Sequence, residues 1–114
     1  DSVHGLTRLK RRFIIGTLSN GNIGLLTKMA KRAGLPWDVI LGAEAAQAYK
    51  PLPRCYLRNA EILGLEPQQV MLVAAHNADL AAAAKTGYRT AFVVRPYEFG
   101  GRDNPDMHAT GPWA

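Results

Sequence analysis

The sequence predicts an α/β fold, a parallel sheet with flanking helices. Two observations predict it. Short apolar runs rich in bulky and β-branched residues alternate with longer segments whose apolar positions recur at helical spacing. Turn-forming or polar residues separate each run from the next helical segment, and that strand–helix–strand order builds parallel sheets with right-handed crossovers.

The elements follow in order. Arg12-Phe13-Ile14-Ile15-Gly16-Thr17-Leu18 reads as the first strand, stopped by the turn Ser19-Asn20-Gly21-Asn22. Over residues 23–33, Ile23, Leu26, Met29, Ala30 and Ala33 fall at helical spacing, with Asn22 as N-cap and Gly34 just past the end. Trp37-Asp38-Val39-Ile40-Leu41 is the second strand, and residues 42–53 form a loop carrying Lys50 and two prolines. Pro53 suits the first turn of a helix that runs through Tyr56, Leu57, Ala60 and Leu63 to Gly64. Val70-Met71-Leu72-Val73 is the third strand, apolar throughout and so expected to be buried on both faces. Residues 79–86 make an alanine-rich helix closed by Gly87, and Thr90-Ala91-Phe92-Val93-Val94 is the fourth strand. After Arg95, Gly100, Gly101, Pro105, Gly111 and Pro112 punctuate a segment without periodicity, expected to be loop or tail. The domain organisation is therefore a core over residues 1–96 and a loop-rich tail of the same domain over 97–114.

Composition narrows the function classes. At 114 residues the chain is one domain at most, and 47% hydrophobic with 20% charged residues suits a globular core. No apolar run reaches the roughly 18 residues of a membrane span and no basic-then-apolar leader opens the chain, so the cytoplasm is expected and a membrane is not. The sequence opens on Asp1 and already reads as mid-domain, as a piece of a longer protein would. The formal net charge is +5. Its cations, Arg8, Lys10, Arg11, Arg12, Lys28, Lys31 and Arg32, flank a helix and precede a strand without interleaved aromatics or glycines. That pattern is a solvated face, and no nucleic-acid partner is expected. The single Cys55 excludes an internal disulfide and a cysteine-rich metal site, and its apolar helix gives it a packing role.

In open parallel sheets ligands bind beyond the carboxyl ends of the strands. Three polar clusters fall there: Ser19 with Asn20 after the first strand, Lys50 beyond the second, and His76 with Asp79 after the third. Ser19-Asn20-Gly21-Asn22 offers a hydroxyl, two amides and a helix N-terminus, which suits an anion or a carboxylate. The same residues also suit an ordinary turn with Asn22 as cap. Lys50, held extended by Pro51, could pair with a buried carboxylate or stabilise developing negative charge, or could simply be solvated. His76 and Asp79 suit a general base and its orienter, and Asp79 equally suits a helix cap.

Taken in order, strand-Ser19-Asn20, Tyr49-Lys50-Pro51-x-Pro53 and strand-Ala74-Ala75-His76-x-x-Asp79-Leu80 resemble motifs two, three and four of the haloacid dehalogenase superfamily. The resemblance runs over about residues 12–95 and implies a Rossmann-like core. Phosphatases of that superfamily carry an acidic Gly-Asp-x-x-x-Asp motif for Mg²⁺. Here Ala75 stands where the first metal carboxylate would be, and one remaining carboxylate is too few for a hard cation, so no metal and no cofactor are expected.

That departure resembles the type II 2-haloacid dehalogenases. Their aspartate displaces halide from the carbon next to a carboxylate, forming an ester that water hydrolyses. The resemblance implies that Ser19 hydrogen-bonds the substrate carboxylate, Asn20 cradles the leaving halide and Lys50 pairs with the nucleophilic aspartate. It further implies that Tyr56 lines the site, that Asp79 places the hydrolytic water or orients Lys50, and that His76, at a position that is Asn in some relatives, activates the water. The stretch over residues 87–96 also looks like this family. The family's Asp-x-x-Gly-Thr nucleophile motif does not occur in these residues, nor does its helical cap, so the core is expected to be partial and inactive by itself. The implied partner is a small 2-haloacid, and a homodimer accords with the family. Two alternatives stay open: a phosphatase of the same superfamily, and a Rossmann-like binding module without chemistry.

Overall fold

Helices and parallel strands alternate through the structure, a computed structural model that describes residues 2–95 and 108–114. The chain divides into two compact units, Asp1–Lys50 and Pro51–Ala114. The strand order predicts one sheet; the ladders among the described residues run within each unit, β1 with β2 and β3 with β4. Each pair is a complete strand–helix–strand crossover, the shortest way for a chain to make parallel neighbours.

In the first unit, α1 (Ser2–Lys10) precedes β1 (Gly16–Ser19), α2 (Ile23–Ala33), β2 (Val39–Gly42) and the single turn α3 (Ala43–Ala46). β1 and β2 pair in register from Gly16 opposite Val39 to Ser19 opposite Gly42. The first strand begins at Gly16, later than its apolar run, because Phe13 and Ile14 precede the ladder and are exposed. Asp38 marks where pairing starts: its Oδ2 accepts from the Ile15 N–H at 2.9 Å, and its own N–H donates to the Ile15 carbonyl at 2.8 Å. Lys10 reaches the other Asp38 oxygen at 3.4 Å.

The α2 helix keeps its expected bounds. Asn22 caps it through the Leu25 N–H at 2.8 Å, and Gly34 takes the left-handed conformation (φ 70°) just past its end. The periodicity named no element over residues 2–10, where α1 lies with none of its residues buried. The expected loop over residues 42–53 instead opens with α3, because Ala43 and Ala46 find buried positions against the strand pair. Gln47 ends that turn with a φ of 56°.

In the second unit, α4 (Pro53–Ile62) and a 3-10 turn (Pro67–Gln69) lead to β3 (Met71–Ala74), α5 (Asn77–Lys85) and β4 (Arg89–Phe92). Pro53 does sit in the first turn of its helix. β3 and β4 pair from Met71 opposite Arg89 to Ala74 opposite Phe92. The core gathers Cys55, Tyr56, Ala60, Leu72, Leu80, Ala83 and Tyr88, all buried, so Cys55 has the packing place expected of it. Tyr56 and Tyr88 meet edge to face with centroids 5.8 Å apart, and the Tyr88 hydroxyl donates to the Tyr56 carbonyl at 2.6 Å.

Two further expectations need correction. Among the described residues β3 is covered on one face: Leu72 is 8% exposed, whereas Met71 is 49% and Val73 54% exposed. Alternate side chains of a strand point to opposite faces, and α5 packs on one of them. The alanine-rich helix begins at Asn77, ahead of Asp79. The C-terminal residues are irregular yet tied down, with the Phe92 N–H donating to the Ala114 carbonyl at 2.9 Å and the Ala114 N–H to the Thr90 carbonyl at 3.1 Å. Residues 96–107, including Gly100, Gly101 and Pro105, lie outside the described residues. No helix among the described residues is long and apolar enough to cross a membrane.

Candidate active site

Ser19, Asn20 and Lys50 belong to the first unit. Ser19 closes β1 opposite Gly42, whose φ is 150° and where a Cβ would lie 2.0 Å from the Ser19 carbonyl oxygen. Only glycine allows that approach. Ser19 Oγ accepts from the Gly21 N–H at 3.0 Å, which leaves its O–H able to donate. The first amides of α2 are taken internally: the Leu25 N–H by Asn22, and the Ile23 N–H by Glu44 Oε2 at 3.1 Å. The turn-and-cap reading of Asn22 therefore holds, and the Glu44 carboxylate occupies the helix end where an anion would otherwise sit.

Asn20 does something the sequence did not announce. Its Oδ1 accepts from the Lys50 N–H at 2.8 Å, and its Nδ2 faces the Lys50 carbonyl at 3.4 Å. A side-chain amide thereby pins the backbone of a residue thirty positions later. Lys50 is half-buried, and the spacing of Pro51 and Pro53 stiffens the chain that follows it.

Tyr56, His76 and Asp79 belong to the second unit. Tyr56 is buried on α4 and donates its hydroxyl hydrogen to Asp79 Oδ1 at 2.6 Å. Burial first, then the hydrogen bond to Asp79 and its negative charge, push the Tyr56 phenol far above its ordinary range, which keeps it a donor. Tyr88 is pushed up to about 12, by burial and then by Cys55. Asp79 lies in the first turn of α5, where a carboxylate suits the helix dipole. The N-cap position itself belongs to His76, exposed and extended (φ −120°, ψ 122°), which corrects the reading of Asp79 as the cap.

Sequence reasoning missed Asn77, which stood as an unassigned position between His76 and Asp79. It is buried. Its Nδ2 donates to the His108 carbonyl at 2.8 Å, and its Oδ1 accepts from the Thr110 N–H at 2.9 Å and from Trp113 Nε1 at 2.8 Å. The available signal was a polar residue at the start of an otherwise alanine-rich helix.

The family model for haloacid dehalogenase-like hydrolases matches residues 1–87. The chain belongs to the haloacid dehalogenase-like hydrolases. Within that family it is 35% identical over 107 residues to (S)-2-haloacid dehalogenase 4A of Burkholderia cepacia, covering 87% of this chain and 46% of that protein. The crystal structure of the defluorinating L-2-haloacid dehalogenase Rha0230 superposes with a TM-score of 0.96 at 57% identity, covering 99% of this chain and 46% of that one. The L-2-haloacid dehalogenase PA0810 gives 0.95 at 45% identity, covering 99% and 48%. This haloacid dehalogenase-like chain thus has the α/β architecture of those enzymes' cores and spans about half their length.

Proposed function

We propose that the protein carrying this chain hydrolyses the carbon–halogen bond of a short 2-haloalkanoic acid through an aspartyl ester. The observation that carries this reading is the kinship to 2-haloacid dehalogenases over nearly the whole chain. Ser19, Asn20, Lys50 and Asp79 lie in the stretches that resemble the family's motifs, and Tyr56 on the helix after the Lys50 stretch. The carboxylate oxygen of an aspartate outside these residues attacks C2, and halide leaves with the bonding electron pair. Water then adds to the ester carbonyl and gives up a proton, releasing the 2-hydroxyacid and the aspartate.

Each role draws on local chemistry. The Ser19 O–H donates to the substrate carboxylate. Asn20 has a second amide hydrogen for the departing halide while the first faces the Lys50 carbonyl. The Lys50 ammonium steadies the nucleophilic carboxylate. Tyr56 holds Asp79 through Oδ1, Asp79 places the hydrolytic water or orients Lys50, and His76 takes the proton. Ala75 in place of a metal-binding carboxylate supports a reaction without metal.

The remaining expectations belong to the same proposal. Residues 1–96 are the later part of the core and 97–114 its tail, a reading supported by the pairing of Ala114 with β4. The protein works as a cytoplasmic homodimer, where a lone buried cysteine stays reduced. The test is halide release by the full-length protein from chloroacetate and 2-chloropropionate in EDTA, with wild type beside Lys50→Ala. Halide from wild type and little from the variant is expected. No halide, or Mg²⁺-dependent phosphate release from an aryl phosphate instead, would overturn the proposal, and equal halide rates for the two would overturn the role of Lys50.

A further inference from the structure

We propose that Asn77 is a positioning residue which ties the C-terminal segment to the start of α5 and so fixes the turn bearing His76 and Asp79. The inference rests on the dehalogenase reading for what those two residues do, and on geometry for the rest. Asn77 is the first residue of α5, flanked by His76 at the N-cap and two positions before Asp79. His76 makes no side-chain capping hydrogen bond, so this helix start lacks the usual Ser, Asp or Asn device that fixes a first turn. The neighbouring side chain supplies the anchorage instead. Its amide is buried and engages three partners, the His108 carbonyl, the Thr110 N–H and Trp113 Nε1, at 2.8 to 2.9 Å.

The segment that Asn77 grips is itself held. Ala114 exchanges two backbone hydrogen bonds with β4, at Thr90 and Phe92. Asn77 therefore bonds to a fixed body, and a buried amide with all three contacts made resists displacement because breaking them strands polar groups away from water. On the far side of the same turn Tyr56 holds Asp79. The two attachments come from different elements, and together they leave the His76–Asp79 turn little freedom. Catalysis is sensitive to displacements of about 1 Å, so loosening one attachment reaches turnover before binding.

The test uses the full-length protein with Asn77→Ala and the milder Trp113→Phe, which keeps the aromatic bulk and removes one donor. Halide-release kinetics are read beside amide hydrogen exchange of the peptide containing residues 76–80. In Asn77→Ala the expected outcome is faster exchange there, kcat lower by about tenfold and KM within about twofold; Trp113→Phe shifts both in the same direction by less. Unchanged exchange in both variants would overturn the clamp. Faster exchange with unchanged kcat would make Asn77 merely structural. An inactive wild type would instead overturn the dehalogenase reading, and with it the catalytic role of the turn. A misfolded Asn77→Ala leaves the decision to Trp113→Phe on the same two readouts.

Discussion

The Asn20 side chain brackets the backbone of Lys50, accepting its N–H at 2.8 Å and facing its carbonyl at 3.4 Å. Both groups are exposed enough that the bonds contribute about 0.5–1 kcal/mol rather than the value of a buried pair. Their effect is on place. Lys50 is fixed between this bracket and Pro51, which makes Asn20 a holder of the lysine as well as a candidate for the halide. Lys50→Ala in the full-length protein is expected to lower halide release by about 10²–10³-fold, the scale of losing one electrostatic stabiliser. Asn20→Ala should lower it less and reduce stability by under about 1 kcal/mol. Steady-state kinetics with urea unfolding checks both; wild-type kinetics in Asn20→Ala would contradict the bracket's importance.

Tyr56→Phe separates packing from polarity. The ring is buried against Tyr88 and would stay so, while Asp79 Oδ1 would lose its 2.6 Å donor. A hydrogen bond to a charged group is worth about 1.5–3 kcal/mol. A drop of that order in the unfolding free energy is expected, together with a fall in kcat of about tenfold as Asp79 loses its orientation. Urea midpoints and halide kinetics measure the two; a variant as stable as wild type would show that water replaces the phenol without cost.

Much of this fold was legible because its signals are local. Asn22 and Gly34 bound α2 as capping chemistry requires, and Pro53 opens α4. What escaped depends on partners distant in sequence. Apolar runs placed β1 too early because Phe13 and Ile14 look like strand residues, whereas the ladder starts where Asp38 meets Ile15. At the candidate site the sequence pointed to single residues and not to their couplings. Asn20 with Lys50, Tyr56 with Asp79 and Asn77 with the C-terminal segment are pairings across 23 to 36 positions. No periodicity encodes them.

Gly42→Ala tests the approach of β2 to Ser19. The added Cβ would lie 2.0 Å from the Ser19 carbonyl oxygen, and the φ of 150° disfavours any side chain. Ser19 must move or the ladder must open. Strain of this kind costs about 1–3 kcal/mol, and the overlap adds to it. A melting temperature lower by several degrees is expected, with substrate KM raised as the Ser19 hydroxyl shifts. Unchanged melting and KM would mean that the turn absorbs the methyl group elsewhere.

Alkaline pH should unfold the protein through its two buried phenols. Tyr56 and Tyr88 both have phenol pKa values raised above the ordinary value of about 10, Tyr88 to about 12 and Tyr56 further, chiefly by burial. The unfolded chain therefore releases these protons at a lower pH than the folded one. Between the two values the native state binds more protons, so stability falls as pH rises. The contribution is complete below pH about 10 and is lost progressively as pH climbs through 12 for Tyr88 and beyond for Tyr56. Phenolate absorbance followed with circular dichroism reads this directly. Ionisation of these two tyrosines should coincide with loss of helical signal, and Tyr88→Phe should flatten part of the alkaline slope. Full phenolate absorbance near pH 10 in a chain that still shows its native helical signal would contradict the burial of both hydroxyls.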